Sequence, residues 1–505
     1  MLITRMHRLP NKALATAAVA LAIFLLSTLS FGGNYFHAAN PDWFRQHQLD
    51  SEQLVLDGLL RGETVQGRLP VLLGRYSRPG TVNQLAQSYA LYDQKNRKGV
   101  FGEYHSQYGL QVKLFRWMAD RGFSIWNLHW VVAGAMGLCL SAAYLLLRAN
   151  GFSGLAAASF PVCLALSPWV IVFVRNLYWV EFTWFLPALV TAGWATALPA
   201  SDRDNGIRPL HAWLFGAALF LAALIKFLCG YEYITTIYFA AVLSFVGLSF
   251  RKRVSWRLMV KRCIAITVVF ALSFAAAMGL HVRQLEALGR PGLDTILITA
   301  FKRTSSSRAE QVAARACDDV DNPENNKACV SMYAQSLDSS PYSVAFRYLF
   351  VPDFLPWIHG QDNRPAEHDD QGRSALLTAA GEVKSLRFGS AIHTLASASP
   401  AAVFEALFKA LSKRTLGALN HYGFLLFLAV YVVVFRASPA ALVYLLALIA
   451  GSASWFLAAK AHSYIHTHMN YVLWYLILIP TCVLLLVDRL KTALTPAFRS
   501  RQPAR

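Results

Sequence analysis

Apolar positions along the chain do not alternate with polar ones; they run together. Ten stretches are almost wholly apolar: about 12–31, 124–147, 155–174, 178–198, 210–229, 231–250, 263–281, 416–435, 438–457 and 470–487. Roughly 20 such residues are what a helix needs to cross the hydrocarbon of a bilayer. The pattern predicts an all-α polytopic membrane protein with about 10 transmembrane helices. Pro161, Pro168, Pro187 and Pro480 fall inside these runs, where packed neighbours can satisfy the freed backbone groups.

Two long polar-rich segments interrupt the runs, residues 32–123 and 282–415. The expected organisation is therefore an N-terminal tail and first helix (1–31), a first long loop (32–123), six helices (124–281), a second long region (282–415), three helices (416–487) and a basic tail (488–505). The apolar run after MLITRMHRLPNK lacks a convincing small-x-small site at its end, so a retained signal-anchor is expected rather than a cleaved leader.

Within the first loop, HQLDSEQLVLDGLL (His47 to Leu60) combines Asp50, Glu52 and Asp57 with an apolar stripe of Leu54, Val55, Leu59 and Leu60. It predicts a short amphipathic helix with Asp50 as N-cap, Gln53 completing a capping-box variant, and Glu52 favouring the positive helix end. A second interfacial helix is expected over Glu103 to Gly122, with Leu110, Leu114, Phe115, Trp117 and Met118 on its apolar side.

Composition agrees with a membrane location: 55% of residues are hydrophobic and 15% charged. The net charge of +19 is explained by topology. With a cytoplasmic N-terminus, 18 basic residues fall on the inner side against Arg175 and Lys460 in short outer turns. The positive-inside rule then puts both termini in the cytoplasm and both long segments outside. Nucleic-acid binding is thereby discarded, and anionic membrane lipid is the expected counterpart of the inner charge.

The cysteines fit that arrangement. Cys139, Cys163, Cys229, Cys263 and Cys482 lie in or beside apolar runs, whereas Cys317 and Cys329 bracket the polar loop CDDVDNPENNKAC. An oxidising compartment favours a disulfide between those two over two free thiols.

Ionisable residues at membrane depth are costly, so they are functional candidates or are paired with one another. Arg175 and Glu181, Lys226 and Glu232, and Lys460, His462, His466 and His468 all fall on the same predicted face as Asp50 and Glu52. An Arg175–Glu181 ion pair and a snorkelling Lys226 are the simpler alternatives. The i, i+4 spacing of His462 and His466 is compatible with a divalent metal, but no acid or cysteine lies near them in sequence. No metal or other cofactor is assigned.

The DxE tripeptide Asp50-Ser51-Glu52 in a long first outer loop, juxtamembrane amphipathic helices, about ten spans and a further outer region together resemble the GT-C fold membrane glycosyltransferases. The resemblance covers the layout of the whole chain and one short motif. It implies transfer of a sugar from a polyprenyl-phosphate carrier to an acceptor at the extracytoplasmic face of a bacterial inner membrane. Asp50 would activate the acceptor hydroxyl and Glu52 would support it. Asp57, Glu181 and Glu232 would lie at the substrate site, and Arg175, Lys226, Lys460, His462 and His466 would hold the leaving lipid phosphate. The family's second acidic motif and late acceptor-binding sequence are missing, which leaves open whether the acceptor is a glycan, a lipid or a protein. Two other functions compete: a surface-polysaccharide polymerase or ligase, which would depend on Arg303 or Arg347, and a transporter or lipid flippase, which would show mid-membrane charge and internal symmetry.

Overall fold

A computed structural model describes residues 8–64, 71–78, 87–198, 209–303, 388–397 and 421–499, with positions 330, 340, 344 and 378 between them. Cys317, Cys329, Arg347 and the aromatic segment 342–360, apart from position 344, lie outside the described residues.

Among the described residues each apolar run contributes helix. Among the described residues six helices are long and apolar enough to cross a membrane: Ala13–Gly33, Ile125–Ala149, Leu210–Cys229, Ile234–Arg251, Trp256–Ala287 and Pro439–Ala458. The chain is an integral membrane protein by this measure. The expected ten unbroken spans are not seen, for local reasons. The 155–174 run is cut into Gly154–Ala165 and Pro168–Arg175, bent by 60°. Pro168 brings no backbone N–H to continue the helix, and Ser167 restarts it by accepting from Val170 N at 3.4 Å. The 178–198 run begins its helix only at Phe182, and the 470–487 run is broken at Leu473–Leu476 before Leu478–Arg499.

In chain order the elements are α1 (Arg8–Gly33), α2 (Pro41–Gln46), α3 (Leu49–Gly62), β1 (Gly74–Ser77), α4 (Ser88–Asp93), β2 (Val100–Glu103), α5 (Leu110–Ala119), α6 (Ile125–Ala149), α7 (Gly154–Ala165) and α8 (Pro168–Arg175). There follow α9 (Phe182–Ala197), α10 (Pro209–Cys229), α11 (Ile234–Arg251), α12 (Trp256–Ala287), α13 (Gly292–Arg303), α14 (Phe388–Ser397), α15 (His421–Phe435), α16 (Pro439–Ala458), α17 (Lys460–Ile465), α18 (Thr467–Asn470), α19 (Leu473–Leu476) and α20 (Leu478–Arg499).

In the bundle α1 packs on α6, α9 on α11, α10 on α12, and α7 on α20. Small residues allow the close approaches: a Cβ at Gly137 of α6 would stand 2.7 Å from Thr28 Oγ1 of α1. Arg251, at one end of α11, ties that end together by pairing with Asp488 at 2.9 Å and donating to Asn150 O at 3.1 Å. The candidate site gathers at the other end.

That end carries a small layer built from the described residues between 41 and 119, and it contains an element with no counterpart in the apolar pattern. β1 and β2 form an antiparallel ribbon in which Gly74 faces Glu103 and Arg75 faces Gly102. The ribbon takes Glu103 and a turn follows it to Gly109, so of the expected 103–122 helix α5 covers only Leu110–Ala119. Phe115 turns inward while Leu114 and Trp117 stay exposed, as an interfacial helix requires. Gly58 lets α3 lie on the strand that leads into β1: a Cβ there would be 2.4 Å from Leu72 O.

Candidate functional site

Helix α3 begins two residues earlier than its acids suggest. Gln48 is the N-cap, with φ of 54°, and makes no side-chain cap bond. Asp50 is therefore inside the helix and does not cap it. The reason is tertiary: Asn176 Nδ2 donates to His47 O at 3.1 Å and Gln48 O at 2.9 Å, fixing the turn from outside.

This register sends the two acids of DxE into different surroundings. Glu52 is buried at 2% exposure and enclosed by donors. Arg175 Nη1 lies 3.2 Å from its Oε1, His129 Nε2 2.8 Å, and the Leu177 amide 3.2 Å; the Tyr89 hydroxyl donates to Oε2. Arg175 Nη2 also donates to Tyr89 at 2.8 Å. Burial by itself pushes the Glu52 carboxyl up, but the Arg175 charge, the His129 contact and the Tyr89 bond outweigh it and bring it down to about 2. A carboxylate with this many donors is a fixed anion that positions α3, α4, α6 and α8. Arg175 is accordingly occupied by Glu52, and neither an Arg175–Glu181 pair nor a free phosphate-binding Arg175 is formed.

Asp57 is diverted in the same way. It accepts from Arg78 at 2.6 and 3.1 Å and from the Tyr76 amide at 3.0 Å, all buried, and so locks β1 onto α3 instead of facing a substrate. Lys226 is buried and donates to Gly230 O at 2.5 Å, closing the C-terminal turn of α10. Glu181 is fully buried at the start of α9, and neither oxygen has a hydrogen-bond partner among the described residues. Lys460 opens α17. None of Asp57, Lys226, Glu181 and Lys460 lines the pocket described next.

Four of the sequence candidates do converge. Asp50, Glu232, His462 and His466 line an open pocket of about 400 Å³, together with Gln48, Ser51, Leu54, Arg75, Gly102, Glu103, Tyr104, Tyr178, Trp179 and Met469. Five parts of the chain supply its walls: the start of α3, the ribbon, the α8–α9 turn, the α10–α11 turn and the α17–α18 segment. In two of these turns a left-handed residue, Val180 at φ 40° or Tyr233 at φ 62°, directly follows a pocket residue, Trp179 or Glu232. Such a conformation is unusual for bulky side chains, and especially for a β-branched one, and it is found where surrounding packing fixes a site. Here Trp179 stacks on Tyr233 at 5.8 Å, and Tyr233 OH donates to Asn470 Oδ1 at 2.8 Å, binding the aromatic wall to the histidine wall.

Two glutamines that carry no signal in the sequence hold this wall. Gln107 Nε2 donates to Glu232 Oε1 and Oε2 at 2.8 and 2.9 Å and to the Tyr178 hydroxyl. Gln111 Nε2 donates to Tyr178 O and Cys229 O, both at 2.9 Å. The Tyr108 carbonyl that follows Gln107 is itself held by Lys113 Nζ at 2.7 Å and Gln284 Nε2 at 3.2 Å. Burial brings the Lys113 ammonium down to about 7.

The Asp50 carboxylate differs from every other acid of α3. It sits on the pocket wall, exposed, and forms neither an ion pair nor a side-chain hydrogen bond among the described residues; only its backbone oxygen is engaged, by Arg75 Nη2 at 2.7 Å. No family model, curated protein or solved structure matches the chain. Among the described residues no three His, Cys, Asp or Glu side chains come together as a metal-ligand set.

Proposed function

We propose that the protein is a membrane glycosyltransferase that moves a sugar from a polyprenyl-phosphate carrier to an acceptor hydroxyl at the extracytoplasmic face of a bacterial inner membrane. The observation that carries the reading is the state of Asp50: a carboxylate on the wall of an open pocket, with no side-chain partner among the described residues, beside acids and bases supplied by other parts of the chain. A general base must be free to take a proton and within reach of it. Of the three acids of α3, Glu52 and Asp57 are held by cations, and Asp50 meets that condition.

In this reading Asp50 takes the proton of the acceptor hydroxyl as its oxygen forms a bond to the anomeric carbon. The bond from that carbon to the carrier's phosphate oxygen breaks, and its electron pair leaves on the phosphate. Cationic donors near that oxygen stabilise charge that grows along the reaction. His462 and His466, which line the same pocket, would serve this purpose, Glu232 would fix the acceptor side through Gln107, and Trp179 with Tyr178 would offer an aromatic face to a sugar ring.

The test is transfer in proteoliposomes. Purified protein supplied with radiolabelled polyprenyl-phosphate-linked sugars and a membrane extract as acceptor source is expected to move label from the lipid fraction. Donor that stays intact with every lipid-linked sugar tried would contradict the proposal.

A further inference from the structure

The pocket contains an arginine that the sequence did not single out, and its chemical situation differs from that of its neighbours. Arg61, Arg78, Arg97, Arg116 and Arg175 each hold a carboxylate. Arg75 lines the pocket and forms no ion pair among the described residues. It is nevertheless fixed in place. Nη2 donates to the Asp50 carbonyl at 2.7 Å, and Nε is enclosed without a hydrogen-bond partner among the described residues. Its register partner on β2 is Gly102, so no side chain of the facing strand covers it. A guanidinium anchored on one edge, with donors left over and no counter-ion among the described residues, is prepared for an anion supplied by a ligand.

The other charges of the pocket limit what that anion can be. Glu103 is balanced by Arg61 at 3.0 Å, and Glu232 is held by the neutral Gln107 amide. Asp50 adds a negative charge beside Arg75. The remaining cations are His462 and His466, of a residue type that is only partly charged near neutral pH. Arg75 is thus the one permanently charged cation among the lining residues. That suits a single phosphodiester, with one negative charge, and not a diphosphate with two.

We infer that Arg75 holds the phosphate of the donor, and that the carrier is joined to the sugar through one phosphate. The inference rests on the transferase reading. When the bond from the anomeric carbon to the phosphate oxygen breaks, the electron pair stays on that oxygen and the phosphate gains a charge. Arg75 and the two histidines meet that added charge, while the proton of the acceptor goes to Asp50.

The experiment is a binding titration by native mass spectrometry of the full-length protein in detergent. The ligands are polyprenyl monophosphate, polyprenyl diphosphate and polyprenol of one chain length, and the proteins are wild type, Arg75→Gln and Arg75→Lys, each checked by its melting temperature. Glutamine keeps a donor for the Asp50 carbonyl and removes the charge. Wild type is expected to prefer monophosphate over both other lipids by about tenfold or more, Arg75→Gln to lose that preference, and Arg75→Lys to recover part of it. Equal or tighter binding of diphosphate by wild type overturns the single-phosphate assignment and leaves the transferase reading standing. Unchanged monophosphate affinity in a folded Arg75→Gln overturns the assignment of Arg75. A wild type that binds polyprenol as well as either phosphate overturns both the inference and the reading beneath it.

Discussion

Glu52 and Arg175, 123 residues apart in the chain, meet in a buried ion pair of 3.2 Å that joins α3 to the end of α8. Two residues before Glu52, Asp50 lines the pocket, its carboxylate without a partner among the described residues. The pair fixes where α3 stands, and the position of Asp50 follows from it.

Removing one member of a buried pair leaves the other charge uncompensated, at a cost of about 3–5 kcal/mol. Glu52→Leu is therefore expected to lower the melting temperature in detergent strongly, and Glu52→Leu combined with Arg175→Met to recover much of the loss. A single variant that melts with the wild type would show that Glu52 anchors nothing.

The same carboxyl gives a pH dependence of defined sign. Its folded value of about 2 lies below the ordinary 4.5, so it contributes stability above about pH 4.5 that is lost as the pH falls toward 2. The difference corresponds to about 3 kcal/mol. Wild type and Glu52→Gln, melted side by side, should differ most above pH 4.5 and converge below it. A gap that is constant from pH 6 to pH 3 would contradict the assignment.

Asp57, expected from the sequence at the substrate site, makes a structural pair with Arg78 at 2.6 Å. Asp57→Ala should destabilise the packing of α3 on the ribbon, by about 3–5 kcal/mol, and limited proteolysis should detect the loosened ribbon. Any activity loss should follow the folded fraction. A well-folded Asp57 variant with greatly reduced turnover would place the residue back in the site.

Two glycine substitutions separate packing from chemistry. A Cβ at Gly58 would stand 2.4 Å from the backbone oxygen of Leu72, where little can yield. Gly58→Ala should cost about 1–3 kcal/mol through overpacking. At Gly230 the nearest atom is Glu232 Oε2 at 2.6 Å, the movable end of a side chain. Gly230→Ala should leave the melting temperature nearly unchanged and reduce turnover by displacing that carboxylate from Gln107. Equal effects of the two on stability would argue against this division.

Hydropathy located every long helix, because roughly 20 apolar residues leave few alternatives, but it could not see that Ser167 and Pro168 bend one run by 60°. The ribbon was illegible: GRYS and VFGE are four residues each, too short for alternation to register, and they pair across a long separation. At the site, the sequence placed acids and bases on one face, and Asp50, Glu232, His462 and His466 do line one pocket. It could not tell which charges neutralise one another. Glu52 finds Arg175 and His129, and Asp57 finds Arg78, only through tertiary contact. Gln107 and Gln111 are neutral amides whose importance lies entirely in what they touch, and Arg75 stands out only because, among the described residues, the neighbouring arginines are paired and it is not.

The most direct measurement compares sugar transfer by wild type and Asp50→Asn under single-turnover conditions, with melting temperatures taken on the same preparations. Asparagine keeps the size of the side chain, and since Asp50 does not cap α3 and its carboxylate has no partner among the described residues, the fold should be unaffected. The account predicts an unchanged melting temperature and a transfer rate lower by about two to four orders of magnitude, the usual weight of a general base. Transfer by Asp50→Asn at the wild-type rate would contradict the central claim.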